Sequence, residues 1–119
     1  MKDFRKLFVW EKAHKLTLEI YRVTSSFPRE ELYGLTSQIR RASVSIPANI
    51  AEGCGRDSER ELLRFMRIAM GSSSELEYEI ILAHDLGYLS DEEFIKVQGD
   101  LVEVRKMLNA FIQKLKINN

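Results

Sequence analysis

Apolar positions recur at steps of three and four along almost the whole chain. In the first segment they fall at Val9, Ala13, Leu16, Ile20 and Val23, with Phe27 beyond. That spacing draws one stripe down a 3.6-residue helix and predicts a helix over about residues 9–25. Residues 1–8 read as a short lead-in. Pro28 disfavours helix at Phe27 and suits the start of the next element. The second stripe is Leu32, Leu35, Ile39, Ala42, Ile46, Asn49 and Gly53, predicting a helix over about residues 31–52. Pro47 lies inside it and costs about 3 kcal/mol through a lost hydrogen bond and a ring clash. The stripe keeps its phase on both sides, which predicts a kink, not a break. Gly53 and Gly55 supply the stop.

Ser58-Glu59-Arg60-Glu61 has the spacing of a capping box and opens a third helix, about residues 58–86. Its stripe runs Leu62, Phe65, Ala69, Ser73 (or Ser72), Leu76, Ile80, Ala83 and ends at Gly87. The Gly71-Ser72-Ser73-Ser74 stretch inside it has poor helix propensity. Small side chains there point to close backbone approach. Ser90-Asp91-Glu92-Glu93 is a second capping box, opening a helix over about residues 91–116. Phe94, Val97, Leu101, Val104, Leu108, Phe111 and Leu115 form its stripe. Acids at its start and Lys114 and Lys116 near its end suit the helix dipole.

Four amphipathic helices on short links predict an all-α fold, an antiparallel up-down-up-down four-helix bundle, with residues 1–119 as a single domain. Apolar residues also lie off the stripes: Trp10, Leu18, Tyr21, Leu63, Met70, Tyr78, Ile81, Ile95, Val102 and Ile112. A lone bundle needs one stripe per helix, so the surplus predicts self-association.

The chain has 119 residues, 45% hydrophobic and 30% charged, an ordinary composition for a water-soluble domain. No apolar run reaches the ~18–20 residues of a membrane span. The charged N-terminus does not read as a secretory signal. The lone Cys54 rules out an internal disulfide framework, and the expected location is the cytoplasm. Net charge is zero but uneven: residues 1–29 carry +4, 68–100 carry −7 and 101–119 carry +3. Overall neutrality opposes general nucleic-acid affinity, whereas a local basic surface is compatible with it.

Arg60, Arg64 and Arg67 share one helix face, with Arg56 just before it and Arg40 and Arg41 on the preceding helix. Arginine forks match phosphate oxygens, which makes these six the candidate nucleic-acid contacts. Glu59 and Glu61 beside them allow the competing reading of intra-helix or intersubunit ion pairs. Lys2, Arg5, Lys6, Lys12 and Lys15, interleaved with Phe4, Phe8 and Trp10, form a second basic candidate; its aromatics either stack on bases or anchor the arm. Pro47, Asn49 and Glu52 form a structural polar set. Asn49 interrupts the stripe with an amide that fixes register, with partners expected in the Gly71–Ser74 stretch. Glu52 is expected to pair with Arg40 or Arg41, or with a neighbouring subunit, and a ligand pocket at the kink is the other reading of this set.

Enzyme chemistry finds little footing. Glu11 and His14 have one Glu-x-x-His spacing of a di-iron bundle, but His84 follows Ile81 and the set is incomplete. His84 is expected to pair with Glu77. Neither histidine has the nearby arginine of a bundle-type ribonuclease, and no phosphate-loop spacing occurs. No metal, no cofactor and no catalytic residues are therefore expected.

The blocks Phe27-Pro28, Tyr33-Gly34-Leu35, Gln38-Ile39-Arg40-Arg41-Ala42, Ser45-Ile46 and Asn49-Ile50-Ala51-Glu52-Gly53 occur in order. With Gly71-Ser72, Glu75-Leu76 and Leu86-Gly87-Tyr88-Leu89 they resemble the four-helix-bundle proteins encoded in intervening sequences of bacterial 23S ribosomal RNA genes, the S23 family. That family is similar to the accessory variability proteins of diversity-generating retroelements, described as homopentameric barrels that bind nucleic acid and a reverse transcriptase. The resemblance implies a homopentamer with an RNA or DNA role and a reverse transcriptase or other protein as partner. It supplies no catalytic residues. The expected function is a non-catalytic homo-oligomeric bundle that binds structured RNA or DNA through its arginines. The alternative is a protein–protein scaffold without nucleic-acid affinity.

Overall fold

The computed structural model describes residues 2–118; Met1 and Asn119, the two ends of the predicted domain, lie outside the described residues. Among these residues the chain forms α1 (Phe8–Thr24), α2 (Leu35–Cys54), α3 (Glu59–Asp85) and α4 (Asp91–Asn118), with short 3-10 turns at Phe4–Lys6 and Arg29–Glu31. Each helix packs on its neighbours in sequence, and α1 closes on α4. The diagonal pairs do not meet, so the four helices make a square antiparallel bundle with extents of 45 × 24 × 20 Å.

The whole predicted stripe of α1 is buried, Phe27 included. The stripe of α4 is buried at Val97, Leu101, Val104, Leu108 and Leu115, with Ile112 buried and Phe94 and Phe111 half-buried. Ile112 and Leu63, read from sequence as surplus, belong to the core. The reason is width. A helix packed on two neighbours buries a broader face than a two-position seam.

The second helix starts later than expected. Pro28 opens a single 3-10 turn, and α2 begins at Leu35. Glu31, predicted inside the helix, instead caps it: its Oε1 accepts from the Leu35 N–H at 3.1 Å. Leu32 is exposed, not in the seam. Asn49 is also off the core line, half-buried, with Ile50 in its place.

Pro47 is buried within a continuous α2. Lacking an N–H, it leaves the Ser43 carbonyl without an intrahelical donor. The Thr17 hydroxyl of α1 donates to that carbonyl at 2.9 Å. The defect is therefore repaired across the α1/α2 contact.

Gly53 of α2 sits close against α3. A Cβ there would lie 2.9 Å from the Phe65 Cβ and 3.0 Å from a Leu62 methyl. In the Gly71–Ser74 stretch, Ser73 is fully buried, whereas nothing lies within 4 Å of a Cβ built on Gly71. Close approach thus explains the serine and not the glycine.

The helix ends follow the predicted chemistry. Ser58 Oγ accepts from the Glu61 N–H at 3.1 Å. At Ser90 the box is reciprocal: Ser90 Oγ accepts from Glu93 N–H and Glu93 Oε1 accepts from Ser90 N–H, both at 3.0 Å. Gly87, at φ 82°, reverses the chain after α3, and the Tyr88 N–H donates to the Ala83 carbonyl at 2.9 Å.

Candidate nucleic-acid interface

The first turns of α3 raise a row of arginines from a fixed base. Ser58 caps the helix, so the spacing of 60, 64 and 67 becomes a true helical face. Arg60, Arg64 and Arg67, with Glu61, Leu63 and Ile68, line an open depression of about 810 Å³. Buried Phe65 provides a floor nearby: the Arg64 guanidinium lies 4.4 Å and that of Arg56 4.9 Å from its ring centroid. Such stacking orients the fork while leaving its edges available.

The row is partly neutralised. Arg64 donates to both oxygens of Glu61, at 3.0 and 3.2 Å. Those bonds hold the Glu61 carboxyl below the usual carboxylate range, aided by the charges of Arg64, Arg56 and Arg60. Arg56 pairs with Glu52 at 3.1 Å. Arg60 and Arg67 are exposed, and neither makes a hydrogen bond or ion pair among the described residues.

Arg40 and Arg41 are not part of this face. Gly53 faces Phe65, and Arg40 lies about 20 Å back along α2 from Gly53 at 1.5 Å per residue. Its Nε donates to Thr24 Oγ1 at 2.9 Å, and its guanidinium lies 4.8 Å from the Tyr21 centroid. Sequence proximity to the second helix alone suggested one patch of six. The antiparallel path divides it into four and two.

The polar set also resolves differently from expectation. Glu52 pairs with Arg56, one turn on, and not with Arg40 or Arg41. Asn49 Nδ2 donates to the Ser45 carbonyl at 2.8 Å and to Ser45 Oγ at 2.9 Å. Ser45 Oγ in turn bonds Ser72 Oγ at 2.7 Å. The amide thus reaches the serine stretch of α3 through Ser45.

In the N-terminal arm, Phe4 packs edge-on against Trp10 and Trp10 stacks on His14, each at 5.0 Å. The Lys2 N–H donates to the Cys54 carbonyl at 2.9 Å. Those two aromatics anchor the arm; Phe8 stays exposed. Cys54 is buried, and burial pushes its thiol up. His84 pairs with Asp91 at 2.7 Å and stacks on Phe94, not with Glu77 as the spacing suggested. Glu77 is taken by Arg105 at 2.8 Å. Among the described residues, no three His, Cys, Asp or Glu side chains converge as a metal site.

Glu79 went unnoticed in the sequence. It is buried in α3, its Oε1 has no hydrogen-bond partner, and its pKa is pushed up to about 7 by burial and then by Glu75. The available signal was its place between Leu76 and Ile80, inside a wide core stripe.

The fold also sorts charge by level. The half of the bundle holding residues 2–16, 45–75 and 105–117 carries thirteen basic and seven acidic side chains. The half holding 17–44 and 76–104 carries five and eleven. The arginine face lies in the basic half.

A family model described as 23S rRNA-intervening sequence protein matches residues 5–110. A crystal structure at 1.70 Å from Bacteroides thetaiotaomicron VPI-5482, of a protein with unknown function from the S23 ribosomal protein family, is similar at 25% identity with a TM-score of 0.82. The alignment covers 88% of this chain and 95% of that one. No curated protein matches.

Proposed function

This chain belongs to the 23S rRNA-intervening sequence protein family, and from that premise we propose a non-catalytic bundle that self-associates and binds RNA or DNA phosphates through Arg56, Arg60, Arg64 and Arg67. The observation that carries the reading is the pair of unpartnered arginines, Arg60 and Arg67, in an open depression on the basic half of the bundle. Phosphate contact is the charge-assisted bond such forks make best. Self-association, as a homopentamer in this reading, repeats the face and raises its local potential. A cytoplasmic setting suits the single buried thiol of Cys54. No helix among the described residues is long and apolar enough to cross a membrane.

The scaffold alternative draws on the Arg64–Glu61 and Arg56–Glu52 pairs, which spend two of the four arginines inside the chain. Filter binding of a structured RNA across a salt series separates the two readings. Phosphate binding predicts a linear loss of log affinity with log salt, with a slope of roughly 0.7–0.9 per contact. Arg60→Glu with Arg67→Glu should then abolish binding. Affinity that ignores both salt and the double reversal excludes this face, and no binding at low salt leaves the scaffold.

A further inference from the structure

We propose that the corner where α1 turns into α2 is a pocket for a terminal phosphate group, held by Arg29, Arg40 and Thr36. The site stands apart from the α3 arginine face and does not rest on the nucleic-acid reading.

The 3-10 turn at Arg29–Glu31 leaves a recess of about 260 Å³ between the end of α1 and the start of α2. Phe27, Pro28 and Leu32 make its apolar wall, and Thr24, Ser25, Arg29, Thr36 and Arg40 its polar one. No carboxylate among the described residues lines it. Two nearby acids are engaged elsewhere, Glu19 by Arg22 and Glu31 by Tyr88 and the Leu35 N–H. Glu30, exposed on the same turn, is not part of the wall.

The three buried threonines differ. Thr17 and Thr24 each donate to the carbonyl four residues back, on Ala13 and Ile20, as helical threonines do. For Thr36 that carbonyl belongs to Leu32, which precedes α2, and no such bond forms. Thr36 is only 4% exposed, and its Oγ1 has no partner. A buried hydroxyl without an acceptor is uncommon and costly. A ligand oxygen in the recess gives it one.

The arginines bring charge from two elements. Thr24 Oγ1 accepts from Arg40 Nε at 2.9 Å, and the Arg40 guanidinium lies 4.8 Å from the Tyr21 ring centroid. These contacts hold the fork and leave both Nη groups free to donate. Arg29 is exposed, and its side chain makes no ion pair or hydrogen bond among the described residues. Thr36 lies in the first turn of the 20-residue α2, whose positive end favours an anion. Donors converging from two elements suit a tetrahedral oxyanion; a planar carboxylate needs only one fork. A phosphate monoester offers three strong acceptor oxygens and a charge of about −2, matching Arg29, Arg40 and Thr36. The recess is smaller than the roughly 300–1,000 Å³ that encloses a whole small molecule. It takes the phosphate and leaves the rest of the ligand outside.

Isothermal titration calorimetry of the full chain, at fixed ionic strength in chloride, tests the site with inorganic phosphate and adenosine monophosphate. Adenosine is the uncharged control. Both phosphates should bind and adenosine should not. Equal affinities identify a site for free phosphate; tighter adenosine monophosphate identifies one for a phosphorylated small molecule. Thr36→Val should weaken binding about tenfold. Its urea midpoint without phosphate should equal or exceed that of wild type, because an unpaired hydroxyl is gone. Thr36→Ser should keep binding. Arg29→Gln, on the exposed turn, should weaken binding by a similar factor without changing stability. Arg60→Glu with Arg67→Glu should leave phosphate binding intact, which separates this pocket from the α3 face. A wild-type chain that binds no phosphate overturns the site. So does binding untouched by Thr36→Val and Arg29→Gln, or binding lost with the Arg60 and Arg67 reversal.

Discussion

The Thr17 hydroxyl and the Ser43 carbonyl form a buried hydrogen bond at 2.9 Å between α1 and α2, at the carbonyl that Pro47 deprives of its helical donor. The same hydroxyl lies 3.1 Å from the Ala13 carbonyl on its own helix, so the contact to α2 is the shorter of two. A proline that would otherwise orphan a buried acceptor thereby becomes part of a helix–helix contact.

Thr17→Val should destabilise the chain by about 1–3 kcal/mol, the cost of an unsatisfied buried carbonyl. Thr17→Ser should recover much of the loss. With Pro47→Ala in place, residue 47 regains an N–H for Ser43, so Thr17→Val should cost clearly less. Urea denaturation of wild type, Thr17→Val, Pro47→Ala and the double variant reads this coupling. Additive effects would show that the bond does not offset the proline.

Glu79 should make stability fall as pH rises. Its carboxyl has a pKa raised from 4.5 to about 7 in the fold. Between those values the folded chain binds more protons than the unfolded one, so the contribution is fully present below pH 4.5 and is lost as pH passes 7. Glu79→Gln should match wild type near pH 4.5 and exceed it at pH 8 by roughly 2–3 kcal/mol. Thermal or urea melts over that range supply the measurement. Equal pH slopes for the two chains would contradict it.

Gly53→Ala should destabilise by about 1–3 kcal/mol through overpacking, because its Cβ would press on the Cβ of Phe65 and a methyl of Leu62. Gly71→Ala, with open space at its Cβ, should stabilise by up to about 1 kcal/mol through helix propensity. Denaturation midpoints of the pair give the sign directly. A neutral Gly53→Ala would mean that α3 gives way easily at Phe65.

Glu61→Gln should strengthen RNA binding at low salt, since it releases Arg64 from its bidentate partner and removes an anion from the depression. An increase of several-fold is expected, shrinking as salt is raised. Unchanged affinity in the filter assay would place the phosphate away from Arg64.

Local structure is legible in the order of the residues. The three-and-four spacing set four helices, Ser58 and Ser90 set two starts, and Gly87 set one end, because periodicity, caps and positive φ act within a few residues. Tertiary structure decided which partners those helices meet. It separated Arg40 and Arg41 from Arg60, Arg64 and Arg67, gave Glu52 to Arg56 and His84 to Asp91, and buried Glu79. It also gathered bases from both ends of the chain into one half of the bundle. These are contacts between residues distant in sequence, or choices among equal spacings, and only the antiparallel packing of helix on helix fixes them.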